Sequence, residues 1–343
     1  MPRIALLHDW LDCHFSCQPS NRSYSLAPAS ADASFRRYFR VTLDDQRTFI
    51  VMDAPPELED CRPFIKVAAL FRDAGVQVPA VHAENLELGF LLLSDLGNTT
   101  YLKVLNDSTA PALYLHANAA LVDIQRASHP GVLPEYDHAL LTRELNLFPD
   151  WYVARHLGVT LDEKQEATLR AVFETILSNN LAQAKVFVHR DYHSRNLMVC
   201  GERGGATFPD NPGIIDFQDA VYGPITYDLA SLYRDAYIHW EEAQELDFVI
   251  RYWEMARAAG LPVHPDFHDF YRDYEWMGAQ RQLKVLGIFA RLSQRDGKHG
   301  YLKDMPTVLA YLRQTCERYG ELRPLARLLD QLEKKPVDVG YTF

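Results

Sequence analysis

One change of pattern constrains this chain more than any other. β-prone runs fill residues 30 to 95, then the apolar period turns helical after about residue 100, broken by a single β-rich island at 186–216. That plan predicts an α+β protein of two lobes. A β-rich N-terminal lobe covers 1–97 and a mostly helical C-terminal lobe covers 98–343. Phe35–Leu43 and Arg47–Asp53 flank Asp44-Asp45 and read as a hairpin, which Pro55-Pro56 closes. Pro63–Ala74 reads as a helix stopped by Gly75, and Val78–Ala83 and Gly89–Ser94 read as further strands. Residues 1–28 are mixed, and their Ser, Asn and Pro-rich second half reads as loop.

In the helical part, Ala110–Arg126 is one predicted helix and Glu135–His156 another, breaking at Pro149. Thr160-Leu161-Asp162-Glu163 matches a capping box, with the helix running to about Gln183. Beyond Pro224 the chain reads as helical nearly to its end. Lys and Arg number 35 against 46 Asp and Glu, a net charge of −11, which disfavours a nucleic-acid partner or an anionic membrane. The longest apolar runs are far below the roughly 20 residues that a membrane span needs. Cys13, Cys17, Cys61, Cys200 and Cys316 are odd in number and scattered, with no CxxC pair. They read as reduced thiols of a cytoplasmic protein.

The chemistry is carried by the β-rich island. His189-Arg190-Asp191-Tyr192-His193-Ser194-Arg195-Asn196 fits H-R-D-x-x-x-x-N, and Gly213-Ile214-Ile215-Asp216-Phe217 fits apolar-apolar-Asp-Phe. In this order, each after an apolar strand, they resemble the catalytic loop and metal loop of protein-kinase-like phosphotransferases. Asp191 is placed to accept a hydroxyl proton. Asn196 and Asp216 offer a neutral and an anionic oxygen to Mg²⁺, which prefers such ligands. A rival pattern lies in the same letters. His189, Asp191 and His193 alternate and would share one strand face, as a zinc or iron site requires. For His189 alone, shaping the loop through backbone contacts is the simpler role.

With its continuation Tyr222-Gly223-Pro224-Ile225-Thr226-Tyr227-Asp228-Leu229-Ala230, the chain resembles the aminoglycoside phosphotransferase and choline kinase superfamily over nearly its whole length. Ser30–Arg40, Met52–Glu57, Asp60–Phe64, Leu140–Val153 and His189–Leu232 narrow the resemblance to the cell-wall-recycling kinases acting on the anomeric hydroxyl of N-acetylmuramate and N-acetylglucosamine. The resemblance implies ATP and Mg²⁺ as cofactors and a structural Asp228. It also implies adenine bound by the backbone of the hinge Ser94, Asp95 and Leu96. The product would be a sugar 1-phosphate, passed to a nucleotidyltransferase in peptidoglycan recycling, a route that bypasses fosfomycin.

Two parts of a typical kinase are missing. No G-x-G-x-x-G loop occurs, and Ser34 with neighbouring N–H groups stands in its place. The strand Phe49–Asp53 carries no lysine, so Arg36, Arg37 and Arg40 are the cations left for the phosphates. For the sugar, Arg143, Glu144, Asn146, Trp151 and Tyr152, with Phe148 beside them, cluster in sequence, and Arg143 is the partner expected for a lactyl carboxylate. Asp219 and Tyr222 follow the metal loop as further pocket residues. Two other acceptors stay open. An aminoglycoside would use acidic groups such as Glu241, Glu242, Glu245 and Asp247. Choline would use an aromatic cage from Trp240, Trp253, Tyr271, Tyr274 and Trp276. A non-catalytic nucleotide sensor is the alternative of another class, resting on the absent lysine.

Overall fold

The computed structural model describes residues 3–16, 23–31, 35–200 and 212–333. They form two compact units, one of Met1–Thr100 with Leu197–Asp219, the other of Tyr101–Asn196 with Ala220–Phe343. The metal-loop segment thus groups with the first hundred residues, where the 97/98 boundary would have placed it with the rest.

In the first unit, α1 (Arg3–Ser16) precedes β1 (Tyr24–Ala31), β2 (Arg37–Leu43) and β3 (Thr48–Asp53). Then come α2 (Arg62–Asp73), β4 (Val81–Asn85) and β5 (Phe90–Ser94). The five strands form one antiparallel sheet in the order β1-β2-β3-β5-β4. Alternation decides its faces. Val41, Leu43, Val51, Phe90 and Leu92 bury one face under Leu7, Leu11 and Phe15 of α1, spaced four apart on one helix side.

Two elements here correct the sequence reading. Residues 3–16 are a helix, and the end of the expected loop is the start of strand β1. Pro28 is tolerated there because β1 is an edge strand, with a register shift between Pro28 and Ser30. The hairpin prediction stands, its turn completed by Gln46 at φ 65°.

The chain then enters the second unit through α3 (Tyr101–Val104), α4 (Ala110–Arg126) and α5 (His138–Leu145). Past Pro149 it continues as a wider π-type helix, Phe148–His156, and then as α6 (Glu163–Ala182). The α6 capping box is two residues later than expected. Asp162 is the cap and exchanges hydrogen bonds with Gln165. After β6 (Lys185–Val188) the chain returns to the first unit for β7 (Leu197–Met198) and β8 (Gly213–Ile214). It leaves again through β9 (Val221–Pro224), paired with β6, and α7 (Tyr227–Tyr233). Helices α8 (Glu242–Ala258), α9 (Phe267–Asp296), α10 (Met305–Arg318) and α11 (Arg323–Leu332) complete it.

The 30-residue α9 is the axis of this unit. Gly287 lets it touch the segment before the π-type helix, since a Cβ there would lie 2.4 Å from the backbone carbonyl of Leu147. A buried ion network ties four helices together. Arg234 Nε donates to Glu245 at 2.7 Å, Nη2 to Glu275 at 2.7 Å and Nη1 to Thr315 at 2.6 Å. Among the described residues no helix is long and apolar enough to cross a membrane, and Cys13, Cys61, Cys200 and Cys316 are free thiols.

Candidate functional site

Val186, Phe187 and Val188 bury β6 and deliver the chain to His189-Arg190-Asp191 at its end. Here the loop is gripped from below. Asp228, wholly buried in the first turn of α7, accepts the backbone N–H of His189 at 2.6 Å and of Arg190 at 3.0 Å. The helix cap itself is Thr226. Burial pushes the Asp228 carboxyl up to about 7, against the pull of those two N–H groups. Arg190 takes the left-handed conformation, φ 77°, which a residue with a side chain adopts only where its surroundings force it. Its guanidinium donates to Glu144 and lies 5.5 Å over the Tyr136 ring.

The loop beyond folds back on itself. His193 N–H donates to the Asp191 carbonyl at 3.0 Å, and Asn196 N–H to the His193 carbonyl at 2.9 Å. Asn196 Nδ2 also reaches the Asp191 carbonyl at 3.0 Å. Ser194 donates its N–H and Oγ–H to buried Asp235, at 3.0 and 2.5 Å. His189 accepts the Asp191 N–H on Nδ1 at 3.2 Å, so this ring shapes the turn. Burial pushes the Asp191 carboxyl up, but Lys284, followed by His193, Arg281 and His189, outweighs burial and holds it below the usual carboxylate range. It is therefore an ionised acceptor at neutral pH.

Asp216 stands in the first unit, just after β8, also left-handed at φ 67°. The next side chain, Phe217, anchors the loop. It is fully buried, 4.8 Å from the ring of Phe64 and 5.8 Å from that of Phe71 on α2. With Phe217 inside, the Asp216 carboxylate keeps 36% of its surface. It accepts from Gln218 Nε2 at 2.9 Å and lies 3.6 Å from Arg36 Nη2. A carboxylate here is a hard donor of the kind that suits Mg²⁺. Among the described residues no group of three or more His, Cys, Asp or Glu side chains is arranged to hold a metal.

The three arginines separate. Arg37 pairs with buried Asp53, which also takes Arg3 at 2.6 Å. Arg40 pairs with Asp95 at 2.6 and 3.0 Å. Both are engaged within the sheet, so only Arg36 stands beside the metal-loop aspartate. Ser34 lies outside the described residues. In the hinge, the Ser94 N–H is already taken by the Ala80 carbonyl at 2.9 Å, and Leu96 O faces the Cys200 thiol at 3.8 Å.

The residues expected around a sugar do not converge. Arg143 and Asn146 are exposed, while Glu144, one residue along α5, turns inward. There it meets Arg190, Tyr136 and, at 3.0 Å, Lys284. Trp151 is half-buried, and Tyr152 is buried between Phe148 and His156, stacked at 5.2 and 5.6 Å. Tyr222 is a strand residue of β9 opposite Phe187, and Asp219 is exposed.

The other pockets fare no better. Trp240 donates to Tyr114, Trp253 packs on Phe267, and Trp276 meets Tyr319, so no choline cage forms from them. Glu245 is held by Arg234, Glu242 by Arg318 and Asp247 by Arg251. Sequence reasoning missed Arg281 and Lys284 of α9. Their only signal was a pair of cations three apart inside an otherwise uncharged helical stretch.

A model of the phosphotransferase enzyme family matches residues 25–262. Over the full length of both chains, the protein is 49% identical to an N-acetylmuramate/N-acetylglucosamine kinase of Neisseria meningitidis serogroup B. A kinase of the same name from Pseudomonas aeruginosa is 49% identical, covering 96% of this chain and 97% of its own. Among solved structures, a choline/ethanolamine kinase family protein from Mesorhizobium loti superposes with a TM-score of 0.61 at 13% identity, covering 95% of this chain and 99% of that one. At that identity it speaks for the protein-kinase-like fold alone.

Proposed function

The chain belongs to the phosphotransferase enzyme family, and from that premise we propose that it transfers the γ-phosphate of ATP to the anomeric hydroxyl of N-acetylmuramate and N-acetylglucosamine. The observation that carries the reading is 49% identity, end to end, to kinases named for those two sugars. Asp191 accepts the hydroxyl proton as the sugar oxygen bonds to phosphorus. The bond to the β-phosphate oxygen breaks, and ADP leaves with its electrons. Asn196 and Asp216 would hold Mg²⁺, which neutralises phosphate charge when bound. Arg36, with its neighbours Arg37 and Arg40 engaged elsewhere, is the cation that stands in for the absent lysine. The backbone at Asp95 and Leu96 takes the adenine edge. The sugar 1-phosphate would pass to a nucleotidyltransferase in the cytoplasm.

The test is ATP consumption with Mg²⁺ over N-acetylmuramate, N-acetylglucosamine, choline and kanamycin, with phosphorus NMR of the product and Asp191→Asn in parallel. A 1-phosphate on either amino sugar, lost by at least about 100-fold in kcat in the variant while ATP still binds, is the expected outcome. Turnover confined to choline or kanamycin would overturn the acceptor. Undiminished turnover in Asp191→Asn would overturn the base.

A further inference from the structure

Arg281 makes no direct contact in the reaction as described. It sits on α9 with 6% of its surface exposed, and among the described residues it has no hydrogen-bond or ion-pair partner. Each guanidinium nitrogen nevertheless keeps some contact with solvent. A buried cation without a counter-ion is costly, and proteins keep one where a ligand supplies the charge.

Its helix places it one turn before Lys284, which is tied to the catalytic loop through Glu144 and Arg190. Lys284 pairs with Glu144 at 3.0 Å and, like Arg281, acts electrostatically on Asp191. Phe289, two turns on, lies 6.2 Å from the ring of Tyr237. Tyr237 in turn meets His193 at 5.7 Å and carries the Arg195 guanidinium 3.5 Å over its face. Arg281 acts electrostatically on that same tyrosine. So two guanidiniums, from α9 and from the catalytic loop, act on one tyrosine.

Among the described residues, the nearby acids give Arg281 no hydrogen bond or ion pair, although Asp191 feels its charge and Asp304 feels that of Arg195. Asp228 holds two loop N–H groups, Asp235 holds Ser194 and the Tyr237 N–H, and Glu144 holds Arg190 and Lys284. A direct anionic partner for the guanidinium would therefore come with a ligand. Of the two proposed acceptors, only N-acetylmuramate carries one, the carboxylate of its lactyl ether.

We infer that Arg281 holds the lactyl carboxylate of N-acetylmuramate and so sets the preference between the two sugars. This rests on the proposed function and moves the carboxylate contact from Arg143, exposed on α5, to the buried α9 cation. The fork geometry of a guanidinium suits a carboxylate, and a charge-assisted pair of this kind is among the stronger hydrogen bonds in proteins.

The experiment compares kcat/KM for N-acetylmuramate, its neutral methyl ester and N-acetylglucosamine in the wild type, Arg281→Met and Arg281→Lys. In Arg281→Met the acid-to-N-acetylglucosamine ratio should fall about 10- to 100-fold, mainly through KM, with partial recovery in Arg281→Lys. The ester should behave in the wild type as the acid does in the variant. Equal losses on both sugars would overturn the inference and assign Arg281 to the phosphates, the other anion of the reaction. Should Arg281→Met not fold, the wild type still decides, since equal kcat/KM for acid and ester would overturn it. Should neither sugar be phosphorylated, the proposed function fails. Calorimetry of acid against ester binding then judges Arg281 separately, and equal affinities would overturn it.

Discussion

At the scale of single residues, the catalytic loop is held by charges buried beneath it. Asp228 is the clearest case, because one carboxylate fixes the two N–H groups that lead into Asp191. Its carboxyl sits at about 7 when folded, against an ordinary value near 4 when unfolded. Between those values the folded form holds a proton that the unfolded form has released. The contribution of this group to stability is therefore full below about pH 4 and is lost as pH rises through about 7. Asp228→Asn removes the titration. Its thermal midpoint relative to the wild type should rise across pH 4 to 7 and level off above, read by thermal denaturation over a pH series. A constant difference through that window would discard the assignment. Asp191 and Asn196 were legible in the sequence because a loop returning on itself fixes their spacing. Arg281 was not, because a cation in a helical stretch reads as solvent-facing until packing buries it.

At the scale of elements, what the sequence showed and what it hid divide by how local the cause is. The β2–β3 hairpin and α2 were legible from alternation and a stopping glycine. Helix α1 was obscured by His8, Asp9 and Asp12, although Leu7, Leu11 and Phe15 already marked its buried side. Strand β1 was obscured by Pro28, which only its edge position permits. The closeness of α9 to the π-type helix was invisible, because it depends on a missing side chain. Gly287→Ala should test that closeness. Its Cβ would meet backbone that cannot swing aside, so a loss of about 1–3 kcal/mol is expected from denaturant midpoints. Unchanged stability would mean that α9 can retreat freely, and with it Arg281 and Lys284.

At the scale of the molecule, each compact unit is assembled from two stretches of chain. The first is closed only by its late return. Ile214 N–H bonds to the Gln77 carbonyl at 2.8 Å, Val199 N–H to Thr99 at 2.8 Å, and Phe217 fills the apolar side of α2. A chain ending at Thr100 lacks all three. It should show no cooperative unfolding transition by circular dichroism. A sharp transition in that fragment would mean that the sheet and α2 suffice without Leu197–Asp219.

That connectivity also sets an order of events during synthesis. At roughly 5–20 residues per second, the segment that covers Phe64 and Phe71 leaves the ribosome many seconds after α2 does. For that interval the nascent sheet carries an uncovered aromatic surface. The unit that is first in the chain thus stays unfinished until Asp219 has been made, and its early helix becomes a natural customer for whatever shields hydrophobic chains as they emerge.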